Sequence, residues 1–223
     1  LVLDKSGTSP FDTAISEIEG SCSITLAAEL MSNAHGGKGI MMGGIPGVSP
    51  TEVVIIGGGV ASIVAAKAAL AMGALVKVFD EDVTELRNIQ EKLGHSLFTS
   101  TLLPNVLRNN FRSADVVIGS MNYLNKTHFY RISADLIREM KKGSLIIDLR
   151  MSNGGCFETT MEACFGDHPT IFERYGIVHF CETNLSSRVA RTASIALSNI
   201  FVSLFASLLI VRDNPFRCNN GGD

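Results

Sequence analysis

The chain has 223 residues, of which 46% are hydrophobic and 18% are charged. Its 19 Lys and Arg against 22 Asp and Glu give a net charge of −3, which argues against a nucleic-acid-binding protein that acts through clustered positive charge. Many aliphatic and few charged residues exclude a disordered chain or a coiled coil. The five cysteines contain no CxxC pair, so we expect a reducing, cytoplasmic environment and no metal site.

The first predicted element is a helix over residues 12–34. Its apolar positions recur at helical spacing, and Asn33 to Gly37 provides a stop signal. The residues before it contain Asp, Pro and Glu where a signal peptide needs an apolar core. The Gly- and Pro-rich segment 36–50 then predicts a linker or a structured turn region.

Short apolar runs alternate with helical patterns over the next 130 or so residues of the sequence. The runs do not alternate between apolar and polar residues, which is typical of parallel strands that helices cover on both faces. This order predicts an α/β fold, a doubly wound parallel sheet. The predicted strands are Val53–Ile56, Leu75–Phe79, Ser96–Thr99, Val116–Gly119, Leu145–Asp148 and Ile177–Phe180, and the predicted helices include Val60–Met72, Val83–Leu93 and Ser133–Met140.

The last element is an apolar run, Ala193–Val211, that is long enough to cross a bilayer. Asn199 and four serines interrupt it, and charged residues flank it. We therefore expect a buried or interface helix and no membrane span. The mean hydropathy of +0.25 is high and is compatible with an oligomer interface.

The most informative segment is the strand Val53–Ile56 running into Gly57, Gly58 and Gly59. A helix of small residues follows, which is the arrangement of a dinucleotide-binding turn: the first glycine permits the tight turn, and the third lets the backbone approach a pyrophosphate.

Two further positions complete this pattern. Ser62 takes the place of the last glycine of GxGxxG, where a small residue still permits close helix–strand packing. Asp80 ends the second strand, where a carboxylate can bind ribose hydroxyls and repel a 2′-phosphate. The expected cofactor is therefore NAD.

Longer motifs extend the likeness beyond the glycine turn. GGIPGV precedes the turn, and NGGCFET and VHFCETN follow it. With them the chain resembles the alanine dehydrogenase and pyridine nucleotide transhydrogenase family, in its nucleotide-binding domain, and more closely the alanine dehydrogenases. The segments that carry the resemblance are Ala14–Ile24, Gly36–Lys67, Ile146–Thr160 and His168–Asn199.

The resemblance implies an enzyme that converts L-alanine, NAD and water into pyruvate, ammonium and NADH. Its partners would be a small amino acid or 2-oxo acid and further copies of itself, as a hexamer or dimer, with no nucleic acid and no membrane. Residues 1–35 would form an inter-domain helix segment, residues 36–192 the NAD-binding Rossmann domain, and residues 193–223 a helix that returns to the substrate domain, which this chain lacks.

The resemblance also assigns site residues by position. Ser16 would touch the cofactor, Gly57, Gly58, Gly59 and Val60 would hold the pyrophosphate, and Asp80 would hold the ribose. The residues on the nicotinamide side would be Met121, Asn122, Leu149, Ser152, Asn184 and Leu185.

The chain departs from the family at two places. The family's substrate-binding Arg and Lys and its catalytic His lie in the N-terminal domain, so this chain alone is expected to be inactive. Ser152 stands at the position of the family's aspartate, and Arg150 and Asn153 differ from the small and Gln-like residues expected beside it. The Arg150 side chain either turns inward, where it would favour an anionic ligand, or points to solvent.

These departures leave three functions open. They are an alanine dehydrogenase-like oxidoreductase, a non-catalytic NAD-binding or sensor protein that lost its chemistry at Ser152, and a transhydrogenase-type hydride-transfer domain. Two other residues have structural interpretations. Cys156 is predicted to be a buried thiol, and His179 a core histidine with satisfied hydrogen bonds.

Overall fold

The computed structural model describes residues 9–94, 97–121, 130–164 and 169–212. The helices of this described part are α1 Pro10–Met31, α2 Val60–Ala71, α3 Val83–Leu93, α4 Pro104–Ser113, α5 Ala134–Arg138, α6 Glu158–Cys164 and α7 Ala190–Arg212. The strands are β1 Glu52–Ile56, β2 Leu75–Phe79, β3 Phe98–Ser100, β4 Val116–Gly119, β5 Leu145–Asp148, β6 Ile171–Arg174 and β7 Ile177–Phe180. Short 3-10 turns cover Asn33–His35, Met151–Asn153 and Leu185–Val189.

The strands of the described residues form one sheet in the order β3-β2-β1-β4-β5-β7-β6. All neighbours pair in parallel except β6 and β7. Chain order runs outward from β1 in one direction and then outward from β4 in the other, which is the doubly wound arrangement. The predicted fold is confirmed.

The sheet has a hydrophobic core on each face. Val53 and Ile55 face one core, in which α1 and the alanines of α2 pack. Val54 and Ile56 face the other, with Phe111 of α4. Successive residues of a strand point to opposite faces, so a strand buried on both sides must be apolar at every position. This requirement explains why the strand boundaries could be recognised from short apolar runs.

The antiparallel edge strand β6 was not predicted. It forms a hairpin with β7 through Tyr175 and Gly176, whose φ angles of 58° and 77° suit a two-residue turn. The burial of β6 alternates between exposed and half-buried positions. As an edge strand with a half-exposed pattern it carries no continuous apolar run, and its sequence IFER therefore gave no strong signal.

The chain divides into two compact units. One runs from Ser16 to Leu185 and contains the whole sheet, and the other comprises the parts of the chain before and after it. Among the described residues, one segment, Leu185–Ala206, is long and apolar enough to span a membrane, and little of it is buried. The sequence predicted a buried or interface helix, and in this chain Ile195, Phe201 and Val202 are each more than half exposed, which leaves the interface alternative. Its role as an interface helix, and the predicted division at residues 35 and 192, remain predictions.

His179 of β7 is completely buried. Its Nδ1 lies 2.9 Å from the carbonyl oxygen of Ile177, so this nitrogen donates and Nε2 accepts from the Thr159 hydroxyl, also at 2.9 Å. The imidazole stacks on Phe172 with ring centroids 5.0 Å apart. The prediction of a satisfied core histidine is confirmed. Burial lowers the pKa of His179 from 6.5 to about 4.

We therefore expect His179 to make the free energy of unfolding depend on pH. As pH falls from 6.5 toward 4, the unfolded chain binds a proton that the folded protein does not, and about 3 kcal/mol of stability is lost. His179→Gln cannot take up this proton, so its stability should fall less over the same interval. Urea titrations between pH 7 and 4.5 measure the two slopes, with His35→Gln at an exposed position as the control. Equal slopes for wild type and His179→Gln would contradict the prediction.

Candidate dinucleotide-binding site

The site lies at the carboxyl edge of the sheet, where the winding direction changes between β1 and β4. In open α/β sheets this switch point leaves a crevice outside the strand ends, because the crossover helices leave toward opposite faces. Backbone hydrogen bonds join neighbouring strands at this edge of the sheet. The Leu149 amide donates to the Gly119 carbonyl at 2.8 Å, and the Ser120 amide donates to the Ile56 carbonyl, also at 2.8 Å.

The glycine turn after β1 requires its first two glycines for different reasons. Gly57 has a φ of +113°, and a Cβ there would lie 2.7 Å from the carbonyl carbon and oxygen of Ser120. Gly58 has no positive φ, but its Cβ would lie 2.6 Å from the Cβ of Glu85 on α3. A side chain at either position would clash with Ser120 or Glu85, so the turn can lie this close to them only with glycine at both positions.

Gly59 differs from both, since a Cβ there would have no atom within 4 Å. Its φ of −71° is open to any residue, so neither strain nor the surrounding protein requires a glycine. Gly59 is the N-cap of α2, which begins at Val60 and has no side-chain cap. Unpaired amides at an open helix N-terminus are suited to a phosphate group, and the space above Gly59 gives it access.

Asp80 links the end of β2 to this turn. Its Oδ2 accepts from the Gly58 amide at 2.6 Å, and its Oδ1 accepts from the Asp82 amide at 2.8 Å. The residue is 8% exposed. Each carboxylate oxygen has a further lone pair, so Asp80 retains the capacity to accept from ribose hydroxyls while it holds the turn. The structure thus places Asp80 beside the glycines, as expected for a nucleotide site.

Two buried serine hydroxyls flank the turn without a hydrogen-bond partner, those of Ser62 and Ser120. Ser62, at the position of the last glycine of the motif, is completely buried on α2. It permits the close packing that the motif needs. Buried hydroxyl groups are nearly always paired in proteins, so two orphaned ones beside an open turn fit a site that a polar ligand completes.

The loop after β5 is held by Asp148. This buried carboxylate accepts from the Arg150 amide at 3.0 Å, the Cys156 amide at 2.7 Å and the Thr160 hydroxyl at 2.6 Å. Burial raises the pKa of Asp148, and these hydrogen bonds oppose the rise. Cys156 is completely buried in this network, which confirms its prediction as a structural thiol.

The predicted residues on the nicotinamide side have different exposures. Met121, Leu149 and Leu185 are buried apolar side chains, so what they can offer a ligand is mainly backbone. Ser152 is exposed within the 3-10 turn Met151–Asn153. Asn184 is also exposed.

The remaining two positions that the resemblance assigns are Asn122 and Ser16. Asn122 lies outside the described residues. Ser16 is half-buried on α1, one turn before Gly20, where that helix meets α2.

That crossing of α1 over α2 brings a residue into the site that the sequence did not indicate. A Cβ at Gly20 would lie 2.3 Å from the carbonyl oxygen of Ala61, so α1 touches the first turn of α2. The neighbouring Glu19 is only 9% exposed. Burial raises the pKa of Glu19, and the nearby Arg150 guanidinium opposes that rise. The only sequence signal was a carboxylate between the apolar Ile18 and a glycine.

Arg150 is half-buried. Within the described residues its Nε is buried without a hydrogen-bond partner, and its charge acts on Glu19 of α1. The direction of its terminal guanidinium nitrogens, inward or toward solvent, stays a prediction. Within the described parts of the chain, no group of three or more His, Cys, Asp or Glu side chains could hold a metal ion.

Residues 23–218 match the family described as "Alanine dehydrogenase/PNT, C-terminal domain". The chain belongs to this family. Alanine dehydrogenase of Methanococcus maripaludis is 35% identical over 192 residues, which cover 85% of this chain and 51% of that protein. The chain thus spans about half the length of the curated relatives it matches.

Solved structures agree with this assignment. An L-alanine dehydrogenase structure superposes with a TM-score of 0.79 at 32% identity, covering 88% of this chain and 54% of the other. The transhydrogenase from Sinorhizobium meliloti has a TM-score of 0.72 at 18% identity, covering 89% and 56%, and shows the shared fold. The family resemblance predicted from the motifs is confirmed.

The glycine geometry predicts effects of different size for two matched substitutions. Gly57→Ala places a methyl group against backbone at a disfavoured φ and should lower the free energy of unfolding by about 3 kcal/mol. Gly59→Ala meets open space at an ordinary φ and should lower it by less than about 1 kcal/mol. Denaturant titration of the two variants provides the comparison. A Gly59→Ala variant as unstable as Gly57→Ala would show that the turn is not open.

Proposed function

We propose that this chain is the cofactor-binding part of an NAD-dependent oxidoreductase of the alanine dehydrogenase type. The reaction is the conversion of L-alanine, NAD and water into pyruvate, ammonium and NADH. The observation that carries the proposal is the open turn at Gly59, with uncapped helix amides behind it and the carboxylate of Asp80 beside it. Membership of the family supports it.

The residues of the turn have separate tasks toward the cofactor. The amides at Gly59 and Val60 bind its diphosphate, and Asp80 binds the adenosine ribose and disfavours a 2′-phosphate. Residues at the ends of β4 and β5 would hold the other half of the dinucleotide. When bound, NAD supplies the hydride acceptor. This chain's residues bind and orient it, and the buried strand ends exclude water below it.

The partners follow from the same proposal. The substrate is a small amino acid or 2-oxo acid, and the protein is cytoplasmic, as its cysteine pattern favours. It assembles into a homo-oligomer, a hexamer or dimer. The exposed apolar side chains of α7, among them Ile195, Phe201 and Phe205, support self-association, because large apolar side chains grouped at a surface are typical of interfaces.

A second candidate is a non-catalytic NAD-binding protein. The observation in its favour is Ser152, an exposed hydroxyl where the reaction calls for a negative charge, with the cationic Arg150 two residues before it. A serine cannot balance the charge of an iminium or orient a cationic amine. The two candidates share the cofactor site and differ in whether chemistry takes place there.

An enzyme assay separates them. The protein produced from its complete natural reading frame should form NADH from NAD and L-alanine, and Ser152→Asp should change its turnover by less than about tenfold. Absorbance at 340 nm measures the product, with glycine and L-serine as comparison substrates. Saturable NADH binding without turnover, combined with activity that appears in Ser152→Asp, would favour the non-catalytic candidate instead.

Cofactor choice tests Asp80 independently of catalysis. Asp80→Asn removes the charge that repels a 2′-phosphate, so the ratio of the dissociation constants of NADPH and NADH should fall about tenfold. Using the ratio removes effects of a loosened turn, because both nucleotides share the diphosphate. Glu81→Gln removes the same charge at the exposed neighbouring position and serves as the control. Fluorescence titration gives both constants, and an unchanged ratio in Asp80→Asn would contradict the assignment.

A further inference from the structure

Two opposite charges near the carboxyl edge of the sheet make no direct side-chain contact with the part of the chain that the structure describes. Glu19 is 9% exposed, and the Nε of Arg150 is buried. Among the described residues, no hydrogen bond or ion-pair contact involves either charged side-chain group. They are nevertheless close enough for the charge of Arg150 to act on Glu19. Taking charged groups out of water is costly unless they are paired, so a largely buried carboxylate near a guanidinium whose Nε has no partner favours a charged ligand at this place.

The backbone places these charges on the nicotinamide side of the cofactor site. Glu19 lies where α1 meets the first turn of α2 at Ala61, and Arg150 lies just after the end of β5. In the sheet, β4 separates β1 from β5. If Asp80 held the ribose of a dinucleotide and the turn at Gly59 its diphosphate, the residues that follow β4 and β5 would be placed to hold its other half.

The charge of that other half differs between the two redox states of the cofactor. The oxidised pyridinium ring carries a positive charge, and the reduced ring is neutral. A carboxylate near the ring therefore favours the oxidised form, whereas a guanidinium opposes it. Ser152 brings no charge to this region, and the buried Asp148 carboxylate is already bound by two amides and a hydroxyl. Glu19 is a further carboxylate that the described residues place near Arg150.

We propose that Glu19 supplies the negative charge beside the nicotinamide ring that Ser152 cannot supply, and that it makes this site favour the oxidised cofactor. The proposal rests on the proposed function, since it requires a nicotinamide dinucleotide in the site. It assigns to α1 a charge that the family places in the loop after β5. Arg150 acts through Glu19 as a positioning residue, because burial raises the pKa of this carboxyl and the charge of Arg150 opposes that rise, which favours the ionised form.

The test compares the affinities of NAD and NADH in the protein from its complete reading frame. Calorimetric titration gives both dissociation constants for wild type and for Glu19→Gln, which keeps the shape and removes the charge. We expect Glu19→Gln to weaken NAD binding about tenfold and NADH binding less than twofold. Glu19→Asp retains the charge and should retain most of the preference.

The matched control is Glu17→Gln, which removes the same charge from the same helix at an exposed position. Neither affinity should change in this variant. The ratio of the two constants is measured within one protein, so partial unfolding of a variant lowers both affinities without altering the preference. Should Glu19→Gln express poorly, Glu19→Ala provides the same charge removal.

The outcomes separate this inference from the proposed function. If Glu19→Gln weakens NAD and NADH equally, or neither, Glu19 is not beside the ring and the inference is overturned, while nucleotide binding stands. If the wild-type protein binds neither nucleotide, the proposed function itself fails and the inference with it. Selective weakening of NAD in Glu19→Gln, absent in Glu17→Gln, supports both.

Discussion

The site depends on how closely the chain that leaves β1 passes the end of β4. Gly57 lies directly against the backbone of Ser120, in a conformation and at a distance that no side chain permits. This close passage directs the chain into α2 with its N-terminus open above the strand ends. The diphosphate site therefore arises from backbone geometry, and side chains such as Asp80 stabilise it by hydrogen bonds to the same turn.

Asp148, a second buried carboxylate, holds the loop after β5 by hydrogen bonds, as Asp80 holds the glycine turn. Asp148 binds two backbone amides and the hydroxyl of Thr160, and thereby shapes the loop that carries Arg150 and Ser152. Three hydrogen bonds offset much of the cost of burying this group. The crevice is thus bounded by two backbone segments, each held by one aspartate. The residues that depart from the family pattern, Arg150, Ser152 and Asn153, lie on the second segment.

Helix α1 changes the electrostatic character of this region. Ser152 removes a negative charge from the loop and Arg150 adds a positive one, which by themselves would favour an anionic ligand. The approach of Glu19, made possible by Gly20 against Ala61, brings a negative charge back from a different element. The electrostatic potential near this loop therefore depends on both Glu19 and Arg150, which lie more than a hundred residues apart in the chain.

The sequence alone determined the doubly wound sheet, most strand boundaries, the glycine turn with its acid, and the structural roles of Cys156 and His179. These features depend on local patterns, because buried parallel strands are apolar throughout and a tight turn against backbone requires glycine. Only the tertiary structure decided the edge strand β6, the burial of the Arg150 Nε and the burial of Glu19 near this guanidinium. Such features depend on which distant segments meet, and a single buried charge leaves no periodic trace in the sequence by which its neighbours could be recognised.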